Sequence, residues 1–318
     1  MSFQRPVVFD DVLQAAVRIA PHADVTPVLR SRVLDELSGA QLHFKAEHLQ
    51  RGGAFKFRGA CNAVWALDQA SAARGVVTHS SGNHGAALAL AARTRGIPCH
   101  VVVPEGAVAA KLANIARHGA TLWRCAPTTA AREATCAQVQ AQTGAVLVHP
   151  YADPRVIAGQ GTAAMELLAT AGPLDVVLVP VGGGGLGSGT ALALQGLAPG
   201  CALVLAEPAG AADTARSLAA GRREVDFVPD TICDGLRAAL GAPNFELLRD
   251  ADARVVTVDD SQVVAAMRLA WQVLKQVIEP SSATVLAAVL SQPGRFAGRR
   301  VGLVLSGGNV DLDALPWG

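Results

Sequence analysis

Residues 176–194 read VVLVPVGGGGLGSGTALAL. An unbroken apolar run enters four consecutive glycines, Gly182, Gly183, Gly184 and Gly185, and an alanine-rich helical stretch follows. A strand that is apolar at every position is buried on both faces, as in a parallel sheet covered by helices. Consecutive glycines let backbone N–H groups converge on an anion, and the N-terminus of the following helix adds a favourable dipole. The segment therefore reads as a phosphate cradle in an α/β protein. Taken alone it also fits a dinucleotide-binding pattern. Gly182, Gly184 and Gly187 satisfy G-x-G-x-x-G, and Glu207 stands about 20 residues on, where a ribose ligand belongs. The Gly-Lys-Ser/Thr of a nucleotide triphosphatase loop is missing. What separates a nicotinamide cofactor from another phosphate-bearing one must lie elsewhere in the chain.

The rest of the sequence repeats the same rhythm. Strands are expected at Leu42–Ala46, Gly75–His79, Cys99–Val103, Val146–His149, Val176–Val181, Ala202–Ala206, Val255–Val258 and Val301–Leu305. Helices are expected at Ala86–Thr94, Ala109–His118, Thr129–Thr143, Gly161–Ala171, Gly187–Gly196 and Ser261–Val277. This alternation predicts parallel sheets with helices on both faces, and 318 residues at roughly 150 per domain predict about two domains. With 27 Lys+Arg against 26 Asp+Glu, the chain lacks the basic footprint that nucleic acid would require. No apolar run approaches the ~18 residues of a membrane span. The six cysteines are scattered with no CxxC pair, and residues 1–20 show no basic-then-apolar leader, so reduced thiols and a cytoplasmic location are expected.

Three further segments discriminate between cofactors. GGAFKFRGA (52–60) places Lys56 between two phenylalanines, where desolvation lowers an amine pKa and makes it a usable nucleophile. THSSGNHG (78–85) ends a strand in small polar residues, with Ser80, Ser81, Asn83 and His84 available to meet a carboxylate. VLSGGNVD (304–311) brings a buried strand to Ser306 before another pair of glycines.

Together with HPYADPRVIAGQGT (149–162), AEP (206–208) and IEPSSA (278–283), these segments resemble the fold type II, or β-family, pyridoxal-phosphate enzymes. Within that family they are most similar to the serine racemase and serine/threonine dehydratase group. The motifs are collinear and span nearly the whole chain, and a dinucleotide enzyme explains only one of them. The resemblance implies a tryptophan synthase β-like α/β fold of two open parallel-sheet domains with the cofactor between them. Residues 1–74 and 153–318 would form the large domain, and 75–152 a small mobile one. It assigns Lys56 to covalent attachment of pyridoxal 5'-phosphate, Gly182, Gly183, Gly184 and Gly185 to its phosphate, Asn83 to the ring hydroxyl, Ser306 to the ring nitrogen and Phe55 to packing near the ring. Lys56 would then remove the Cα proton of a β-hydroxy amino acid, water would leave, and a 2-oxo acid and ammonia would result.

The resemblance also implies that Ser80, Ser81, Asn83 and His84 bind the substrate carboxylate. Ser81 matches the serine that reprotonates Cα on the face opposite the lysine in racemases, so an amino-acid racemase is the alternative activity. Glu207, the Ala211 carbonyl and Asp213 match ligands of Mg²⁺ (or Ca²⁺ or Mn²⁺), an oxygen set suited to a hard cation. A homodimer is expected from the family. Arg132 matches an arginine near the substrate pocket; turned inward, it could pair a second carboxylate, which adds 3-hydroxyaspartate to serine and threonine as candidate substrates, with phenylserine behind them. Positions Arg32, Gly52 and Ala86 depart from those that bind nucleotide in animal racemases, so nucleotide activation is not expected.

Overall fold

A computed structural model describes residues 6–317. Among these, ten strands form two sheets. The larger contains β1 (Val28–Leu29), β2 (Gln41–Lys45), β7 (Val176–Pro180), β8 (Ala202–Pro208), β9 (Arg254–Val258) and β10 (Arg300–Val304), in the order β1-β2-β10-β7-β8-β9. The smaller contains β3 (Val76–His79), β4 (Cys99–Pro104), β5 (Thr121–Cys125) and β6 (Val146–Leu147), in the order β5-β4-β3-β6. Every pairing is parallel except β1 with β2. All five residues of β7 are buried, as its continuous apolar run requires.

Two strands were not anticipated. β1 is a two-residue edge strand, too short to show a period. β5, Thr-Leu-Trp-Arg-Cys, lies at the edge of the small sheet and buries only its last residue, so it lacks the apolar signature of its neighbours. The expected helix at 161 begins seven residues earlier, as Pro154–Ala171 capped by Asp153. Its glycines serve close packing. A Cβ on Gly159 would lie 2.6 Å from the Gly59 Cα, and one on Gly161 would lie 2.6 Å from the Gly189 carbonyl oxygen. Helix Pro154–Ala171 thus touches helices Lys56–Trp65 and Gly185–Leu197 backbone to backbone. The helix expected to reach Val277 is α-helical over Asp260–Leu269, passes through a π turn at Ala270–Leu274 and stops at Lys275, which adopts φ 58°. All six cysteines are buried and unbridged. No helix among the described residues is long and apolar enough to cross a membrane.

Candidate active site

The chemistry-bearing segments all follow the carboxyl ends of parallel strands, the edge at which open α/β sheets bind ligands. β2 leads to the Lys56 segment, β7 to Gly182–Gly185, β8 to Glu207 and Asp213, and β10 to Ser306. From the smaller sheet, β3 leads to Ser80–Asn83 and β6 to His149–Tyr151. The two sheets therefore present their functional loops to one another across a cleft.

Lys56 is the first residue of its helix. Its Nζ donates to the Pro150 carbonyl oxygen at 3.1 Å and lies 5.1 Å from the centre of the Phe55 ring. Burial lowers the amine to about 8, against the opposing pull of Glu279. The preceding segment is tied to the Ser306 loop: the Phe55 N–H donates to the Ser306 carbonyl at 3.0 Å, and the Gly308 N–H donates to the Gly53 carbonyl at 2.9 Å. Ser306 itself is 3 % exposed.

The glycine loop is enclosed. A Cβ on Gly183 would fall 2.4 Å from the Tyr151 ring, one on Gly182 2.8 Å from the Leu236 Cα, and one on Gly184 2.6 Å from Leu240. Gly184 also takes φ 92°, which side chains resist. Among the described residues, the amides of Gly182, Gly183 and Gly184 donate no hydrogen bond, while the helix beginning at Gly185 points its N-terminus the same way. A phosphate would satisfy these donors. Amine, glycine cradle and buried Ser306 hydroxyl thus fit the reactive groups of pyridoxal phosphate.

Across the cleft, Ser80, Ser81 and Asn83 are half-buried in the turn that opens helix Asn83–Arg95. A Cβ on Gly85 would lie 2.1 Å from the Ser80 carbonyl oxygen, so this tight return needs glycine. Asn83 is engaged within the protein: its Nδ2 donates to both Glu279 oxygens at 3.0 and 3.1 Å, and its Oδ1 accepts from Asn309 at 2.9 Å. His84 turns to the Val148 carbonyl, with Nε2 donating at 3.3 Å and Nδ1 buried and unpaired. Burial, reinforced by the Lys56 charge, holds its pKa well below the usual imidazole value. The one N–H of the neutral ring is thus engaged with that carbonyl.

Arg132 is half-buried, its Nε has no hydrogen-bond partner, and it forms no ion pair among the described residues. Burial depresses the His79 imidazole, Glu133 pulls it the other way, and the Arg132 charge adds a smaller downward push. His79 packs edge-on against His149 at 5.1 Å, and His149 against Tyr151 at 4.6 Å. These ring contacts run from His79, which feels the Arg132 charge, to the turn that meets Lys56.

At the end of β8, Glu207 and Asp213 are fully buried. Glu207 accepts the Thr214 and Ala215 N–H groups at 2.9 Å each, and Asp213 Oδ2 accepts the Leu240 N–H at 2.8 Å. Burial pushes the two acids up, to about 7 and about 6. Asp213 Oδ1 is buried and unpaired. The described residues hold no cluster of three His, Cys, Asp or Glu suited to a metal. An oxygen-only set of two carboxylates and the Ala211 carbonyl fits a hard cation that retains waters.

The motif reading missed Glu279 and the His149–Tyr151 turn as site components. Both sit inside segments that carried the resemblance, IEPSSA and HPYADP, but a buried acid beside an asparagine and an aromatic lid on a glycine loop become visible only in three dimensions.

A family model described as pyridoxal-phosphate dependent enzyme matches residues 19–307. The chain is 50 % identical over 309 residues to a beta-hydroxyaspartate dehydratase of Paracoccus denitrificans, covering 97 % of this chain and 98 % of that protein. It is 48 % identical over 309 residues to a serine racemase of Arabidopsis thaliana, covering 96 % and 93 %. Maize serine racemase, among solved structures, superposes with a TM-score of 0.95 at 43 % identity, covering 97 % of this chain and 95 % of that one. With two parallel sheets facing one cleft and a match across nearly all of its length, the chain belongs to the pyridoxal-phosphate dependent enzymes of fold type II.

Proposed function

We propose that this enzyme is an ammonia-lyase of β-hydroxy amino acids, with 3-hydroxyaspartate the foremost substrate, releasing a 2-oxo acid and ammonia. The unpaired, half-buried guanidinium of Arg132 carries the substrate assignment. A half-buried cation with no partner inside the protein is suited to an anion, and 3-hydroxyaspartate brings a second carboxylate where serine and threonine bring none. The 50 % identity to a beta-hydroxyaspartate dehydratase supports the same choice.

Pyridoxal phosphate, when bound, supplies the conjugated ring that accepts the electron pair left as Cα loses its proton. The chain's own residues do the rest. Lys56, lowered to about 8 by burial, presents a neutral amine in a useful fraction at neutral pH, and Nζ takes the Cα proton. Ser80, Ser81 and the amides of their turn hold the α-carboxylate, and Arg132 the second carboxylate. Residues 75–152 act as the small domain that closes over the substrate and excludes water. Lys111 pairs with Asp234, and Asn83 with Glu279, contacts that hold residues 75–152 against the rest of the chain. Glu207, Asp213 and the Ala211 carbonyl hold Mg²⁺ or a similar cation. The enzyme works as a cytoplasmic homodimer.

Racemisation is the second reading. It is favoured by Ser81, half-buried on the small-domain side of the cleft while Lys56 stands on the other, and by the serine racemase relatives.

Kinetics of Arg132→Ala test the substrate assignment. Loss of a charge-assisted hydrogen bond, worth about 1.5–3 kcal/mol, lowers kcat/KM for 3-hydroxyaspartate by about 10- to 100-fold and leaves threonine turnover nearly unchanged. An equal loss on both substrates contradicts it.

A further inference from the structure

We propose that Arg58 is the positioning residue for Lys56: a guanidinium held between two carboxylates, the buried Glu47 and the partly buried Glu166, fixes the rotation and height of the helix turn from which the lysine projects. This rests on Lys56 being the cofactor lysine. Lys56 opens its helix at a weak point, since the preceding Phe55 offers no side-chain cap. Two residues on, Arg58 is 1 % exposed. Its Nε and one terminal nitrogen donate to Glu47 at 2.7 and 2.8 Å, and its two terminal nitrogens donate to Glu166 at 2.7 Å each. The remaining bonds run to the Thr162 hydroxyl at 3.2 Å and the Asp24 carbonyl at 3.3 Å. Lys45, also buried, completes the cluster by donating to Glu166 at 2.5 Å and to the Thr26 carbonyl at 2.6 Å.

These partners belong to different parts of the large sheet's surroundings. Lys45 ends β2, Glu47 follows it, and Thr162 and Glu166 lie on helix Pro154–Ala171. The same helix side is locked at two more points: Gln160 Oε1 accepts the Gly59 N–H at 3.1 Å, and Asn62 Nδ2 donates to the Arg155 carbonyl at 2.7 Å. Close backbone contact at Gly59 and Gly159 sets the distance between the helices, but glycines can slide. Two bidentate ion pairs cannot slide, because a planar fork meets each carboxylate in one orientation. Buried ion clusters seldom stabilise a fold more than apolar packing of the same volume would, so this arrangement is better explained by the geometry it imposes. A displacement of about 1 Å at a reacting group can cost 100-fold in rate. The groups facing the amine from the packed elements are Glu279, His84 and His149. All of them sit on other segments, so only the helix turn decides where the amine stands among them.

The test uses the full chain with Arg58→Lys and Glu166→Gln, mixed with pyridoxal phosphate across a pH series. Borohydride trapping and peptide mass analysis give the rate at which Lys56 itself is labelled. In the native protein the rate should reach half its maximum near the amine value of about 8. In both variants the loosened amine reaches water, and the midpoint should rise by about one unit, making labelling at pH 7 about tenfold slower. Steady-state kinetics should show kcat reduced about 10- to 100-fold with KM changed less than about threefold. Direct electrostatics has the opposite sign in Glu166→Gln, since removing a negative charge would lower the midpoint, so a rise reports movement of the amine. Lysine at 58 keeps the charge and cannot grip two carboxylates. Should Arg58→Lys not fold, Glu166→Gln decides, because Glu166 is 22 % exposed and Gln preserves its shape. A folded variant with the native midpoint and native kcat overturns the proposal. Labelling away from Lys56 in the native protein would instead overturn the reading of the site on which it rests.

Discussion

The amine of Lys56 donates to the carbonyl oxygen of Pro150 at 3.1 Å, joining a helix packed between helices Pro154–Ala171 and Asn83–Arg95 to the turn that leaves the small sheet. The turn is organised from within. His149 Nδ1 accepts the N–H groups of Tyr151 at 3.4 Å and Ala152 at 3.1 Å, and burial lowers the ring to about 4, which keeps that nitrogen free to accept. His149→Ala leaves both amides without their acceptor. The account predicts a lower Tm and weaker cofactor retention, each partly restored in His149→Asn, whose amide oxygen can accept in its place. Thermal melts and cofactor titrations read both effects; equal damage from the two substitutions would contradict a hydrogen-bonding role.

Tyr151, the single tyrosine of the chain, seals the glycine loop. Its ring stands where a Gly183 side chain would project, and its carbonyl accepts from Asn244 at 3.1 Å. Gly183→Ala should therefore weaken pyridoxal phosphate binding at least tenfold. Adding Tyr151→Ala should recover part of that loss, a coupling expected of residues in contact. Strict additivity in titrations of the four proteins would show that the clash is not the cause.

Glu279 predicts a pH effect with a definite sign. Burial raises its carboxyl to about 7 against the ordinary 4.5, with the Asn83 hydrogen bond pulling the other way. The folded protein then binds more protons than the unfolded chain between these values. Stability from this group is present below the unfolded value and is lost as pH rises through about 7. In cofactor-free protein, Glu279→Gln should flatten the fall of unfolding free energy between pH 5 and 7 relative to the native chain. Parallel curves for the two proteins in denaturant titrations would refute this.

A cation at Glu207 and Asp213 should stabilise the fold by mass action. Mg²⁺ at about 100 times its Kd adds about 2.7 kcal/mol. Tm should rise with Mg²⁺ in the native protein and stay flat in Asp213→Asn. A rise of the same size in the variant would place the effect elsewhere.

Much of this was legible in the sequence, for identifiable reasons. β7 could be found because a strand buried on both faces must be apolar throughout, and the loop after it because converging amides require glycines. Lys56 stood out as a cation between phenylalanines. β5 escaped because an edge strand with one buried residue leaves no pattern. The first turns of helix Pro154–Ala171 escaped because glycine marks a turn and a tight helix crossing alike, and only the contacts at Gly59 and Gly189 tell the two apart. The role of Glu279 depends on a partner 196 positions away, beyond the reach of any local reading.

The central claim is tested most directly by proton NMR in D₂O, with the enzyme, pyridoxal phosphate and Mg²⁺ presented with stereoisomers of 3-hydroxyaspartate, serine, threonine and phenylserine together. The account predicts loss of one 3-hydroxyaspartate isomer first, with matching growth of its 2-oxo acid, and no reaction in Lys56→Ala. Exchange of the Cα proton for deuterium with appearance of the opposite enantiomer, and no 2-oxo acid, would contradict it and make the enzyme a racemase.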